Sequence, residues 1–193
     1  MSPAATIDDD AAREAVLRAA DHVFYAHGVA GTGMAEVRDE AGVSLRRLYG
    51  LYPSKGDLVA AWLRERHATW MAWFAASVER RRAKGVVPLL AVFDAIAEWA
   101  STPGYRGCAF LNTAAETTEI DDAHRAIIAG HKRELIGYLA GLARDSGHRR
   151  ARELGETIAV LIDGAIVESA VLSSPRPVAA ARRAAAQLIE ARR

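Results

Sequence analysis

Apolar residues recur along this chain at three- and four-residue intervals, and the runs break at glycine, proline and serine. Val16, Ala20, Val23, Phe24 and His27 share one helical face. Thr6 is placed to cap that helix, with Asp8, Asp9 and Asp10 in a first turn where carboxylates favour the positive end of the dipole. Gly28 stops it. A second helix starts at Thr32 or Gly33 and ends at Gly42, and Ser44 caps a short third one through Tyr49. Ser54 and Asp57 have capping-box spacing ahead of a long helix reaching Lys84. Its stripe is Val59, Leu63, Trp70, Phe74 and Val78, widened by Trp62 and Trp73. Gly85 closes it, and Pro88 suits the first turn of the next helix, which runs to Ala100. Residues 102–107, TPGYRG, form a loop. Further helices are predicted at Ala109–Thr118, Asp121–Asp145, Arg149–Leu172 and Val178–Arg192. Nothing alternates like a strand series, so the predicted class is all-α, about nine helices, with a small three-helix unit over 1–55 and a larger bundle over 56–193.

Composition adds bounds. At 193 residues, 51% of them hydrophobic, the chain can bury one good core or two modest ones. A net charge of +1 gives no bulk pull toward nucleic acid, so any basic footprint is local. The one cysteine, Cys108, makes no internal disulfide and fits a reducing compartment. The segment MSPAATIDDD lacks the basic-then-apolar order of a signal peptide, and no run approaches the ~18 apolar residues of a membrane span. The expectation is a soluble, cytoplasmic protein with no membrane partner.

The stretch Thr32–Lys55, TGMAEVRDEAGVSLRRLYGLYPSK, carries the chemistry. Two short helices joined by Gly42-Val43-Ser44 have a geometry that can set the second into a DNA major groove. Ala41 is small where the helices nearly touch, Gly42 accepts a positive φ without a Cβ penalty, and Val43 and Leu48 lock the pair. Val43, Leu48 and Tyr52 then face the core, while Leu45, Arg46, Arg47 and Gly50 face outward. Arginine's planar fork matches guanine O6 and N7, each good bidentate pair supplying ~1–3 kcal/mol of discrimination, and Leu45 suits a thymine methyl. Thr32, Tyr49 and Lys55 lie where hydroxyls and a helix N-terminus grip phosphates. Through Asp57, six basic residues (Arg13, Arg18, Arg38, Arg46, Arg47, Lys55) meet nine acidic ones (Asp8, Asp9, Asp10, Glu14, Asp21, Glu36, Asp39, Glu40, Asp57). Binding therefore requires the acids on the far side, and helical spacing places Asp8 to Asp10 and Asp21 away from the turn.

In order, VLRAADHVFYAHG, then T-x-M-x-x-V, AGVS, LY, an aromatic at Tyr52 and SK resemble the N-terminal pattern of the TetR family of bacterial transcriptional repressors, over about fifty residues. The resemblance implies an all-helical homodimer whose recognition helix, Ser44 to Tyr49, enters the major groove of a near-palindromic double-stranded operator. It also implies a divergent C-terminal bundle that binds a small molecule, releases the operator in response, and dimerises through its last two long helices. Arg38 stands where the family usually has a small alanine, and its stem can snorkel to a phosphate. Arg46-Arg47 replace a common Gly-Thr pair, and Gly50-Leu51 lack the polar or histidine side chains often found there. The DNA-contacting candidates are Thr32, Arg38, Ser44, Leu45, Arg46, Arg47, Tyr49 and Lys55, with no cofactor and no catalytic group.

Trp62, Trp70, Trp73, Phe74, Phe93, Trp99 and Phe110 gather on three predicted helices, either as core or as the lining of an apolar pocket. Residues 107–116, GCAFLNTAAE, resemble a short motif of one TetR subgroup; Asn112 and Glu116 present an amide and a carboxylate to a ligand, or brace neighbouring helices. The pocket candidates are Trp70, Trp73, Phe74, Phe93, Trp99, Cys108, Phe110, Asn112 and Glu116. Cys108 at a helix start is an oxidant sensor or an inert buried thiol; no lysine or histidine adjoins it in sequence. His124 and His131 lie seven apart near Asp121, but without a third ligand the expectation is solvated histidines and no metal. Leu154, Ile158, Leu161, Ile162, Ala165 and Ile166, with Ala185, Leu188 and Ile189, form stripes that pack within a monomer or between two chains; the resemblance selects the dimer. Two rivals remain: a degenerate relative that binds ligand but not DNA, and a small helical enzyme, which no Ser-His-Asp order, metal signature or phosphate loop supports.

Overall fold

The computed structural model describes residues 9–116 and 121–191; Thr6, Asp8 and the predicted helix ends at Thr118 and Arg192 lie outside them. Among the described residues there are nine helices and no strand. They are α1 (Asp9–His27), α2 (Met34–Ala41), α3 (Leu45–Leu51), α4 (Lys55–Arg82), α5 (Pro88–Ala100), α6 (Ala109–Glu116), α7 (Asp122–Asp145), α8 (Ala151–Val171) and α9 (Arg176–Ala191). Local chemistry sets their ends. Pro88 opens α5. The Ser54 hydroxyl accepts from the Asp57 N–H at 3.1 Å and donates to its carboxylate at 2.6 Å ahead of α4. Helix α9 starts two residues before Val178, because Pro177 costs nothing in a first turn.

The helices form two compact units. The first takes in the described residues up to Arg66 and those from Phe110 to Ile127. Val16, Val23, Phe24, Val37, Leu48, Leu58 and Leu63 are buried in it. Phe24 meets Trp62 edge to face at 5.3 Å, the Trp62 indole donates to Asp21 at 2.7 Å, and Arg66 pairs with the same carboxylate while lying 3.9 Å over the Tyr25 ring. The first turns of α4 thus complete the core of α1, and the expected boundary at residue 55 falls inside this unit.

The second unit holds His67–Ala109 and the described residues from Ile128 onward. Phe74, Phe93, Leu135, Leu139, Leu154, Ile158 and Ile162 have no accessible surface beyond 1% and make its core. At Gly155 helices α7 and α8 touch backbone to backbone: a Cβ there would stand 2.7 Å from the Ala140 nitrogen. Arg182 reaches Asp94 at 2.8 Å and ties α9 to α5, and Lys132 reaches Asp163 at 2.6 Å and ties α7 to α8.

One expectation needs correction here. Leu154, Ile158, Ile162, Ala165 and Ile166 of α8, with Ala185 and Ile189 of α9, are buried inside the single chain; Leu161 and Leu188 are half-buried. These stripes are spent on α5, α8 and α9 packing together. The large apolar residues that α8 itself leaves exposed are Val160 (73% exposed), Val167 (45%) and Val171 (74%), on its opposite face. The periodicity located an apolar face, and a second, sparser one lay behind it.

Candidate nucleic-acid interface

Helices α1, α2 and α3 pack on one another in the first unit. The turn between α2 and α3 is built by Gly42, whose φ of 65° is left-handed; its N–H reaches the Arg38 and Asp39 carbonyls, and the Val43 N–H reaches the Arg38 carbonyl at 3.3 Å. A side chain at residue 42 would be strained in that conformation. The Ser44 hydroxyl then accepts the Arg47 N–H at 3.1 Å and caps α3. Leu48 and Leu51 are buried, so α3 presents Leu45 (41% exposed), Arg46, Tyr49 (45% exposed) and Gly50 outward. This is the outward face that the sequence predicted, except that Arg47 turns to its edge and is half-buried.

The other candidates divide. The side chains of Arg46 and Lys55 make no ion pair or hydrogen bond among the described residues, and Arg46 is exposed on α3. Arg38 is held by its neighbour Asp39 through Nε at 2.7 Å and Nη2 at 2.6 Å, so a phosphate competes with that carboxylate. Thr32 is only 1% exposed, and its hydroxyl donates to the Gly28 carbonyl at 2.7 Å. That hydroxyl braces the α1–α2 turn and is not presented to a phosphate, which corrects the expectation. Gly33, not Thr32, caps α2, without a side-chain bond.

The acids are placed by partners that sequence spacing did not show. Glu36 and Glu40 of α2 meet His27 and His22 of α1 at 2.6 and 2.7 Å, and Asp21 is taken by Arg66 and Trp62. Asp9 departs from the prediction: its carboxylate pairs with Arg47 beside the recognition helix. Asp9, Arg13, Ser44, Arg46, Arg47, Gly50 and Leu51 line a cleft of about 320 Å³ between α1 and α3. Arg13 donates to the Leu51 carbonyl at 3.2 Å and lies 5.7 Å over the Tyr52 ring. Sequence reasoning missed Asp9 and Arg13 as neighbours of α3, since only tertiary packing brings residues 38 positions apart together.

In the second unit the predicted ring cluster is real, but part of it is solid core. Trp70 stacks on Phe74 at 4.8 Å and meets Trp99 and His131 edge to face at 5.7 and 5.5 Å; Trp73 lies 6.4 Å away, and Trp99 meets Tyr105 at 5.0 Å. Phe74 and Phe93 have no accessible surface, so neither lines a space that a water-sized molecule enters. A groove of about 690 Å³ between α4 and α7 is lined by other residues, among them His67, Met71, Glu134 and Tyr138. Cys108 is buried, with the Lys132 ammonium 4.0 Å from its sulfur, a neighbour invisible in sequence; Asp163 is the closer partner of that lysine.

Phe110, Asn112 and Glu116 belong to the first unit. Phe110 is buried and Asn112 half-buried. The Glu116 carboxylate accepts the Val29 N–H at 2.7 Å and the Ala30 N–H at 3.4 Å, so it braces the α1–α2 turn. The expectation of solvated histidines fails: His124 and His131 are buried and separately engaged. His124 bridges Asp121 at 2.6 Å and the Gly56 carbonyl at 2.9 Å, and His131 contacts His67 at 3.0 Å. Burial, with the Lys132 and His67 charges adding to it, pushes the His131 imidazole down to about 3.

A capped, glycine-turned helix pair on a three-helix core, with a second helical unit in the same chain, is the architecture of a transcriptional regulator with a DNA-reading head. Residues 16–62 match the model of bacterial regulatory proteins of the tetR family, and residues 85–185 match that of the tetracyclin repressor-like C-terminal domain. The chain belongs to the TetR family, and is a DNA-binding transcriptional regulator. TetR regulators bind DNA operators and are dimeric. A TetR-family transcriptional regulator from Streptomyces coelicolor is 25% identical, with a TM-score of 0.80 over 94% of this chain and 95% of that one. A TetR transcriptional regulator from Chloroflexus aurantiacus (22% identity, TM-score 0.77, 94% and 96% covered) shares the fold. So does the regulatory protein TetR from Rhodobacter sphaeroides (20%, 0.78, 91% and 97%). No curated protein matches the chain. Among the described residues no helix is long and apolar enough to cross a membrane.

Proposed function

We propose that this regulator is a repressor whose two recognition helices read a near-palindromic operator, and that a small molecule bound by the second unit releases it. The observation that carries the reading is the outward face of α3, where Leu45, the unpaired Arg46 and Tyr49 stand exposed on a capped helix. A side chain set on a rigid helix reaches base edges with little ordering left to do. A two-fold dimer would place two such helices about one helical turn of DNA apart, which is why a near-palindrome follows. The α8 face bearing Val160, Val167 and Val171 supports the dimer contact, in place of the buried stripes.

The ligand half rests on the ring cluster. The Trp70 indole N–H is buried with no hydrogen-bond partner among the described residues. An unmade buried bond costs ~1–3 kcal/mol, and an acceptor on an aromatic ligand would offset it. Such a ligand shifts operator affinity only by its differential affinity for two conformers. Selection of bound sequences from random duplex DNA at stated salt tests the operator, and half-site symmetry is the expected result. Titration of candidate aromatics, followed by tryptophan emission, then tests release. A compound that quenches the cluster at saturation yet leaves operator affinity unchanged contradicts the ligand reading.

A further inference from the structure

We propose that Asp9 is a specificity-setting residue of the reading head: it holds Arg47 against α1, and so leaves Arg46 as the arginine that reads bases. The inference rests on the DNA-reading function of α3. Helix α3 is seven residues long, and its exposed positions are 45, 46, 49 and 50. Arg46 and Arg47 are chemically identical neighbours, but the step of about 100° between successive helical residues separates their fates. Arg46 points outward without a partner, while Arg47 lies at the edge of the face with 34% of its side chain exposed, paired with the Asp9 carboxylate.

The pairing is imposed by the fold. Arg13, one turn after Asp9 on α1, donates to the Leu51 carbonyl at the other end of α3. The first two turns of α1 therefore grip α3 at both ends, and the grip keeps Asp9 within reach of Arg47. Asp9 itself is 67% exposed, so solvent screens the pair and it adds little to folding. Its consequence falls on DNA binding instead. The carboxylate neutralises one of the two adjacent cations and puts a negative charge at the rim that an approaching phosphate would meet. Phosphate contacts carry no sequence information, so a freed Arg47 would add affinity for any duplex, and most for a scrambled one on which no base contact fixes the register; withholding it leaves discrimination to Arg46 and Leu45.

The test uses the full-length protein and two duplexes: one recovered by the wild type from a random pool, and a scrambled duplex of equal length. Binding is measured across a salt series for the wild type, Asp9→Asn, Arg47→Ala and the double variant, with thermal melting to establish that each is folded. Asp9→Asn is expected to tighten binding to both duplexes. It should also steepen the slope of log affinity against log salt by about 0.9 per reading head, the signature of one more phosphate contact. The ratio between the duplexes should fall, and Arg47→Ala should abolish the whole gain. A slope unchanged from wild type, or a folded Asp9→Asn that loses the selected duplex alone, overturns the inference by making Asp9 inert or a brace for base reading. Failure of the wild type to bind any duplex overturns the DNA-reading function as well, and is distinguishable for that reason.

Discussion

Replacing Val160 by aspartate on the outer face of α8 should split the dimer and leave the chain folded. Val160, Val167 and Val171 together expose the equivalent of roughly two whole valine side chains per protomer. At ~1.5 kcal/mol for each valine side chain buried, two such faces closing on one another would gain about 6 kcal/mol. Val160→Asp removes about 2 kcal/mol of that from the pair. In the proposed interface it also desolvates two carboxylates, each at more than the ~1–3 kcal/mol of an unpaired neutral polar group. The dissociation constant should rise at least about 100-fold. Sedimentation over a range of protein concentrations reads this directly, with the helical signal unchanged. Ile158 provides the contrast, because it lies on the inner face with 0% exposure. Ile158→Ala should cost ~2–5 kcal/mol of folding stability, by creating a cavity, before it affects association. A Val160→Asp protein that remains dimeric at low micromolar concentration would refute the placement. So would an Ile158→Ala protein that dissociates at full stability.

Two further outcomes follow from the second unit. Gly155→Ala should destabilise by about 1–3 kcal/mol in urea unfolding, because the added Cβ meets the Ala140 backbone nitrogen at 2.7 Å and the helices must part; that overcomes the ~1 kcal/mol an alanine gains in a helix interior. His131 makes stability fall with acid: the unfolded chain takes up its proton near the ordinary 6.5 and the folded one only near 3, so the unfolded state binds more protons between them. Lowering pH from 7 to 5 should then cost about 2 kcal/mol that His131→Gln does not lose, as measured by denaturation at each pH.

What sequence made legible was local. The Gly42 turn, the Ser44 cap, the Ser54–Asp57 box and Pro88 at the start of α5 are set by residues within four positions of one another, and each stands where spacing placed it. The all-α class followed from the same periodicity, and the order AGVS, LY, SK pointed to the family. Tertiary pairing was not legible. Asp9 on Arg47, Glu116 on the Val29 amide and Lys132 beside Cys108 join residues that no local pattern relates. The dimer stripe is ambiguous for a different reason, since seven of its nine residues are buried within one chain. A regular apolar face is the mark of burial, and burial inside one chain satisfies it as fully as burial between two. The exposed valines of α8 are too sparse to stand out as a stripe.

The most direct test of the central claim is sequence selection by the wild type and by Arg46→Ala from the same random duplex pool, at one stated salt concentration. The wild type is expected to recover a two-fold symmetric site, and Arg46→Ala to lose preference at one base pair in each half-site, at a cost of ~1–3 kcal/mol per position. Recovery of the same site with undiminished preference by Arg46→Ala would contradict the assignment of α3's exposed arginine as the reader.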